Sequence, residues 1–309
     1  MHPAFSVLIF TVMSGAGYGL AILLILAHLT GISQLQTSNV ILTSGIIALV
    51  LITLGLICSM GHLANPKNAW RAFNRFRTSW LSREGVFAVL FYPLFLAYLA
   101  IVWTQGADIG VLVTAVGIIA AVIAALTLFC TSMIYASLKT IRQWNSSLTP
   151  LNYMLLGLMS GSLLLIAIQS TLTGTTSSTL YQLASALLVL GAIAKVIYLF
   201  WIGKPAGSTI NTATGFTQAS VRLFDQGHTS NGFLNNEFGY TVAANKIICL
   251  RAAMLVLAFL IPFLLLLSGS SGLFIVATVL TIGGLLIERW LFFAEARHVV
   301  RLYHGDQQT

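Results

Sequence analysis

The chain has 309 residues, of which 58% are hydrophobic and only 7% are Asp, Glu, Lys or Arg. Soluble domains carry about a quarter charged residues, so a mean hydropathy of +0.93 excludes that class and indicates an integral membrane protein. The formal net charge of +8 would suggest nucleic acid in a soluble chain. Here it reports where Lys and Arg sit in loops between spans, and no nucleic-acid role follows.

Taken in chain order, the opening MHPAFSVLIF has no positively charged region and a long apolar run. A cleaved signal peptide is therefore not expected, and the first helix should remain. Apolar runs able to cross a bilayer fall at 5–29, 39–61, 86–104, 110–136, 151–172, 180–202, 246–268 and 272–294. The expected fold is an all-α integral membrane protein, a single bundle of eight transmembrane helices. Within the first run, Gly15, Gly17 and Gly19 imitate a nucleotide-binding fingerprint. No strand precedes them, so they read as small residues that let helices pack closely.

Between the second and third runs, residues 62–85 read HLANPKNAWRAFNRFRTSWLSREG and hold five of the fifteen Lys and Arg residues. Lys67, Arg71 and Arg75 recur every four residues, which predicts a basic stripe along one face of a helix. Trp70, Phe73, Phe76 and Trp80 make an aromatic stripe beside it. An amphipathic segment of this kind lies flat at a membrane surface. Lys67, Arg71, Arg75, Arg77 and Arg83 are candidates for docking a partner by charge. His62 and Glu84 bracket the segment where the chain leaves and re-enters apolar runs. A quinone needs a flat apolar slot near the headgroups and a group that exchanges protons with its oxygens, which His and a partly desolvated Glu can do. The plainer alternative is an interfacial His, with the Glu paired to Arg83 or Arg77.

The loops after the second, fourth and sixth runs carry Lys67, Arg71, Arg75, Arg77, Arg83, Lys139, Arg142, Lys204 and Arg222. Lys246 and Arg251 flank the seventh run, Arg297 and Arg301 follow the eighth, and the opposite loops carry only Asp108. The positive-inside rule then puts these loops and both termini in the cytoplasm. Lys195 lies inside the sixth run, where it is a functional suspect unless it snorkels to the nearby end. Glu288 and Arg289 near the end of the eighth can pair with each other's neighbours or with Lys195, a structural ion pair of Lys195 and Glu288 being one reading.

Cys58, Cys130 and Cys249 stand singly in apolar surroundings and read as buried small hydrophobes, with no spacing for a metal or iron–sulfur cluster. His28 is the sole histidine within a run, and it sits at the non-cytoplasmic end, so no haem is expected. Residues 203–245 form a long loop rich in Gly, Ser, Thr and Asn. Its Arg222, Asp225, His228 and Glu237 match no metal-ligand spacing, and the loop reads as ordered or partner-covered.

The run from His62 to Gly85 resembles the membrane anchor subunits of the dimethyl sulfoxide reductase family. In that family a His-Leu opens the loop and Ser-Trp-Leu-Ser-Arg-Glu leads into the third span. The opening MHPAFSVLIFT and the loop VRLFDQGHTSNGFLNNEFGY resemble the same family, although the late loop departs from its commoner pattern around His228-Thr229. The resemblance implies a haem-free anchor in the bacterial inner membrane, bound to an iron–sulfur subunit and a molybdopterin catalytic subunit. It also implies exchange of electrons with a quinone (menaquinone or ubiquinone), with His62 and Glu84 at the quinone site; placing Trp80 in the slot is a hypothesis added to the resemblance. The anchor would not itself transform the main substrate. A cytoplasmic catalytic face suits the branch that oxidises sulfite and reduces quinone, and a sulfoxide or related oxide reductase is the alternative. From another class, a secondary transporter is the rival, although no pair of broken helices in matching halves supports it.

Overall fold

The computed structural model describes residues 1–32, 37–61, 65–203, 207–216, 218–224, 238–304 and 306–309. Among the described residues, eight helices are long and apolar enough to cross a membrane: α1 (Phe5–Leu29), α2 (Ser38–Met60), α3 (Trp80–Gln105), α4 (Val111–Ala136), α5 (Leu148–Thr173), α6 (Ser178–Ile202), α7 (Ala244–Leu266) and α8 (Ser271–Ala294). Such helices form because a bilayer offers the backbone no hydrogen-bond partners, so every span must satisfy its own N–H and C=O groups.

The bundle is organised around α1, which is buried along nearly its whole length and packs on α2, α4, α5 and α8. Its small residues explain that position, since helices in lipid gain from close backbone approach rather than from apolar burial. A Cβ on Gly19 would run into the Gly157 carbonyl of α5, and one on Gly161 into the backbone of Gly19 and Leu20. A Cβ on Gly17 would sit 2.7 Å from Ile52 and 2.9 Å from the Ala48 carbonyl of α2. Gly15 is different, with nothing within 4 Å of the place its Cβ would occupy.

Helix α7 is interrupted by a π turn, Val256–Leu260, immediately before Pro262. Proline lacks an N–H and crowds the carbonyl four residues back, here that of Ala258. The π turn relieves the crowding, and Thr281 of α8 donates to the Ala258 carbonyl at 3.5 Å. Gly284 of α8 makes room for this irregular turn, because a Cβ there would lie 2.5 Å from the Ala258 nitrogen.

Both chain ends meet at the end of the bundle that carries the α2–α3, α4–α5 and α6–α7 connections. The N-terminal amine donates to the Ala296 carbonyl (2.9 Å), and antiparallel bridges join Ile141 to His298 and Thr209 to Gln308. An aromatic cluster of Trp144, Tyr153, Tyr198, Phe292 and Phe293 fills the bundle just inside this end. Two expectations need correction. Cys130 is buried, but Cys58 is half-buried and Cys249 exposed. Both lie on helices whose outer faces are apolar because they face lipid, so apolar neighbours in sequence did not imply burial. His28 is fully buried, set between the Tyr98 hydroxyl (Nδ1, 2.7 Å) and the Ala107 carbonyl (Nε2, 3.0 Å), and so ties α1 to α3 and its following loop.

Candidate functional site

The segment before α3 is a 3-10 helix, Pro66–Arg75, rather than an α-helix. At three residues per turn, residues four apart no longer share a face, so Lys67, Arg71 and Arg75 do not form the expected stripe. Residues three apart do align, which places Trp70 and Phe73 in register, and both are exposed. The side chains of Lys67, Arg71, Arg75 and Arg77 are exposed as well. Arg83 is engaged within the chain: it donates to the Phe76 carbonyl (2.9 Å) and the Arg77 carbonyl (2.8 Å), and it lies 4.2 Å over the Trp80 ring. It fastens the 3-10 segment to α3.

Helix α3 starts at Trp80, with the Ser79 hydroxyl accepting from the Ser82 N–H (3.4 Å), so Trp80 and Glu84 belong to the helix and not to the loop. Four residues apart, they lie on one side of it. Trp80 is half-buried and meets Phe129 of α4 edge-on at 6.0 Å. Glu84 is buried, and neither Arg83 nor Arg77 neutralises it. Its partner is Thr131 of α4, 2.5 Å away, whose hydroxyl also reaches the Thr127 carbonyl at 3.0 Å. A threonine hydroxyl has one proton and can accept as well as donate. With Glu84 protonated, its O–H donates to Thr131 and Thr131 donates to Thr127; with Glu84 ionised, Thr131 donates to the carboxylate. His62 lies outside the described residues, as do Lys204, Asp225, His228 and Glu237.

At a similar depth in the bundle a second group of charges is buried. Lys195 of α6 pairs with Glu288 of α8, and Arg289 Nε lies 3.1 Å from the second Glu288 oxygen. The Arg289 guanidinium stacks 3.7 Å over Tyr153 of α5, and Lys195 lies 4.4 Å over Tyr198. Two cations face one carboxylate, so the cluster carries a surplus positive charge.

Between Glu84 and this cluster lies a small internal cavity of about 20 Å³, bounded by α1, α4, α5 and α8. Thr11, Ser14, Thr131, Tyr153, Ser160 and Arg289 give it a polar lining. The Tyr153 hydroxyl is buried without a direct hydrogen bond. The polar residues thus run across the bundle from Glu84 through Thr131 and the cavity to Arg289, Glu288 and Lys195. Tyr198 extends this run, donating to the Gln143 carbonyl (2.9 Å) at the edge of a second, wide cavity of about 810 Å³ among the ends of α6, α7 and α8. Arg142, Arg251, Glu295 and Arg297 line that cavity with Trp201 and Tyr240.

The sequence matches the family described as DMSO reductase anchor subunit (DmsC) over residues 1–294. The chain belongs to that family of membrane anchors. It is also 38% identical to a sulfite dehydrogenase subunit of Allochromatium vinosum, over 98% of this chain and 99% of that protein. As a DMSO reductase-type anchor, it is a multi-pass membrane subunit that works with catalytic and electron-transfer partner subunits. Anchors of this family interact with quinones, and family membership sets the transporter alternative aside.

The residues around Glu84 suit a quinone in chemistry. Trp80 and Phe129, set edge to face, offer apolar surfaces at right angles to one another, and the buried carboxyl can bond a carbonyl oxygen and hold a proton for it. Helix α3 packs along α4 but meets α2 sparingly, mainly where Thr53 bonds Tyr92 (2.7 Å) and Leu99 fills the space beside Gly45. Toward the cation-rich end, Ile57 and Met60 of α2 are exposed. Thr131, Tyr153 and the cavity between them were not foreseen. Their one signal is that polar residues on α4, α5 and α8 stand about as deep as Glu84 does on α3.

Proposed function

We propose that this anchor passes electrons from an iron–sulfur partner to quinone, in a complex whose molybdopterin subunit oxidises sulfite. The lean to sulfite rests on the relative named a sulfite dehydrogenase subunit, which aligns over nearly the full length of both chains. The excess of Lys and Arg on the loops at one end supports a cytoplasmic position for that end and both termini. The membrane is then the bacterial inner membrane. Lys67, Arg71, Arg75 and Arg77 dock the partner there by charge, while Arg83 is kept for holding the 3-10 segment.

The observation that carries the reading is Glu84, a buried carboxyl with a hydroxyl partner and no Lys or Arg in ion-pair contact among the described residues. Burying an ionisable group this way is costly, and such groups concentrate where proton exchange is the task. Quinone bound beside it would accept two electrons and two protons. Glu84 bonds one quinone oxygen and delivers a proton to it, His62 serves the other, and Trp80 and Phe129 offer the ring apolar surfaces.

Glu84→Gln tests this. The variant keeps the size of the side chain and a hydrogen bond to Thr131, so the complex should assemble with its metals intact. Sulfite-driven reduction of a soluble quinone analogue should fall by about 10²-fold or more, while sulfite oxidation with an artificial electron acceptor stays at the parent rate. Turnover of the quinone at the parent rate, or loss of the partner subunits from the variant, would sink the proposal. The family description also admits an oxide reductase, which the same preparation separates: it would oxidise quinol with a sulfoxide and leave sulfite untouched.

A further inference from the structure

Glu84 poses a supply problem, because a carboxyl this deeply buried must regain each proton it gives away. We infer that the small cavity between α1, α4, α5 and α8 is a water site, and that its water is the group through which Glu84 exchanges protons. This rests on Glu84 being the proton-exchanging group of the proposed quinone site.

The cavity has the required size and lining. Its 20 Å³ exceeds the roughly 10–15 Å³ needed for one water, and a stable buried water also needs two to four polar partners. Those partners are present. Tyr153 and Arg289 both line the cavity, and the buried Tyr153 hydroxyl has no partner within direct hydrogen-bond distance among the described residues. The hydroxyls of Ser14 and Ser160 spend their protons on carbonyls of their own helices, which leaves oxygen lone pairs able to accept from the water. Thr131 lines the cavity on one side and bonds Glu84 on the other.

The proton count balances. When Glu84 gives its proton to an acceptor, Thr131 passes its own to the new carboxylate and takes one from the water. The water recovers a proton from solvent, so one solvent proton is consumed for each proton delivered. The transfers are concerted with uptake of the solvent proton, so neither a hydroxide nor a threonine alkoxide is left behind. From the cavity the run of polar residues continues through Arg289, Glu288, Lys195 and Tyr198 toward the wide cavity. Around Glu84, the titratable and charged side chains are Tyr18 on α1, Cys130 and Tyr135 on α4, Tyr153 on α5 and Arg83 on its own helix. Among these, Tyr153 lines the cavity.

Gly15 is what keeps the space open. It lines the cavity, and a Cβ added there meets no atom within 4 Å, so alanine would occupy the water's place without a clash. Gly15→Ala also improves helix propensity by about 1 kcal/mol, so the helix should be retained. The test is the rate of hydrogen–deuterium exchange at the Glu84 carboxyl in the purified complex. It is read from the infrared carbonyl band that Glu84→Gln lacks, at a pH where that band is present. Gly15→Ala should slow this exchange by about tenfold or more, and Thr131→Val should slow it likewise. Gly15→Ser, which returns a hydroxyl to the same space, should stay within about threefold of the parent. Exchange at the parent rate in Gly15→Ala and Thr131→Val would overturn the water site. Equal slowing in the serine and alanine variants would also overturn it, by showing the effect to be steric. If instead the quinone reading is at fault, the exchange results stand and only the turnover of Glu84→Gln stays at the parent level.

Discussion

The buried charges of this anchor are not equivalent, and their count predicts how each substitution behaves. Glu288 answers two cations, Lys195 and Arg289. Replacing Lys195 with Met leaves Glu288 and Arg289 as a matched pair and puts an apolar chain of similar length where the ammonium lay. Replacing Glu288 with Gln leaves two cations buried without a carboxylate between them, a loss of about 3–5 kcal/mol by comparison with other broken buried pairs. Glu288→Gln should therefore fail to accumulate in membranes or lose much of its thermal stability, while Lys195→Met should be the milder change. Accumulation and detergent melting curves measure the order, and the reverse order would refute this account of the cluster. Lys195 and Glu288 were legible in the sequence because a charge inside an apolar run is conspicuous. Thr131 and Tyr153 were not, since hydroxyl residues are ordinary in membrane helices. Only the folded bundle shows that helices distant in sequence bring them to one depth beside Glu84.

At the scale of the helices, small residues decide which neighbours approach closely. Gly17 and Gly19 signalled close packing, and the matching surface, Gly157 and Gly161 four residues apart on α5, carries the small-xxx-small spacing such crossings use. Gly19→Ala would press a methyl against backbone atoms of α5 that cannot rotate away, at a cost of about 1–3 kcal/mol. The same change at Gly15 carries no such penalty. A clear fall in melting temperature for Gly19→Ala, and a smaller one for Gly15→Ala, is the expected pair of results. Thr281 in α8 makes a separate point, because its bond to the Ala258 carbonyl answers a group that Pro262 leaves without its usual backbone donor. Thr281→Val should cost about 1 kcal/mol, seen as a small drop in the same melts. The eight spans could be read from hydropathy because the bilayer imposes their length. The start of α3 and the 3-10 form of Pro66–Arg75 could not. Charged Arg83 and Glu84 depress the hydropathy of a turn that is helical all the same, and a four-residue repeat suggested an α-helix where the chain winds more tightly.

For the molecule as a whole, the asymmetry between its two ends shapes how it meets its partners. One end carries exposed Lys67, Arg71, Arg75 and Arg77 beside exposed Trp70 and Phe73, and the wide arginine-lined cavity lies at the same end. The connections at the other end carry a single ionisable residue, Asp108, among the described residues. A partner subunit with an acidic face would be drawn to the first end, and charges this exposed act chiefly on the rate of encounter and on its sensitivity to salt. Reversing two of them, Arg71→Glu with Arg75→Glu, should leave the anchor folded, because neither side chain is part of the buried packing. Capture of the partner subunits from solution by anchor-containing membranes should then slow by about tenfold at low ionic strength, with the difference shrinking as salt is raised. The parent should show the steeper salt dependence of the two. If the reversed variant captures its partners as fast as the parent at every ionic strength, the 3-10 segment is not the docking surface. The arginines around the wide cavity would then be the next place to look.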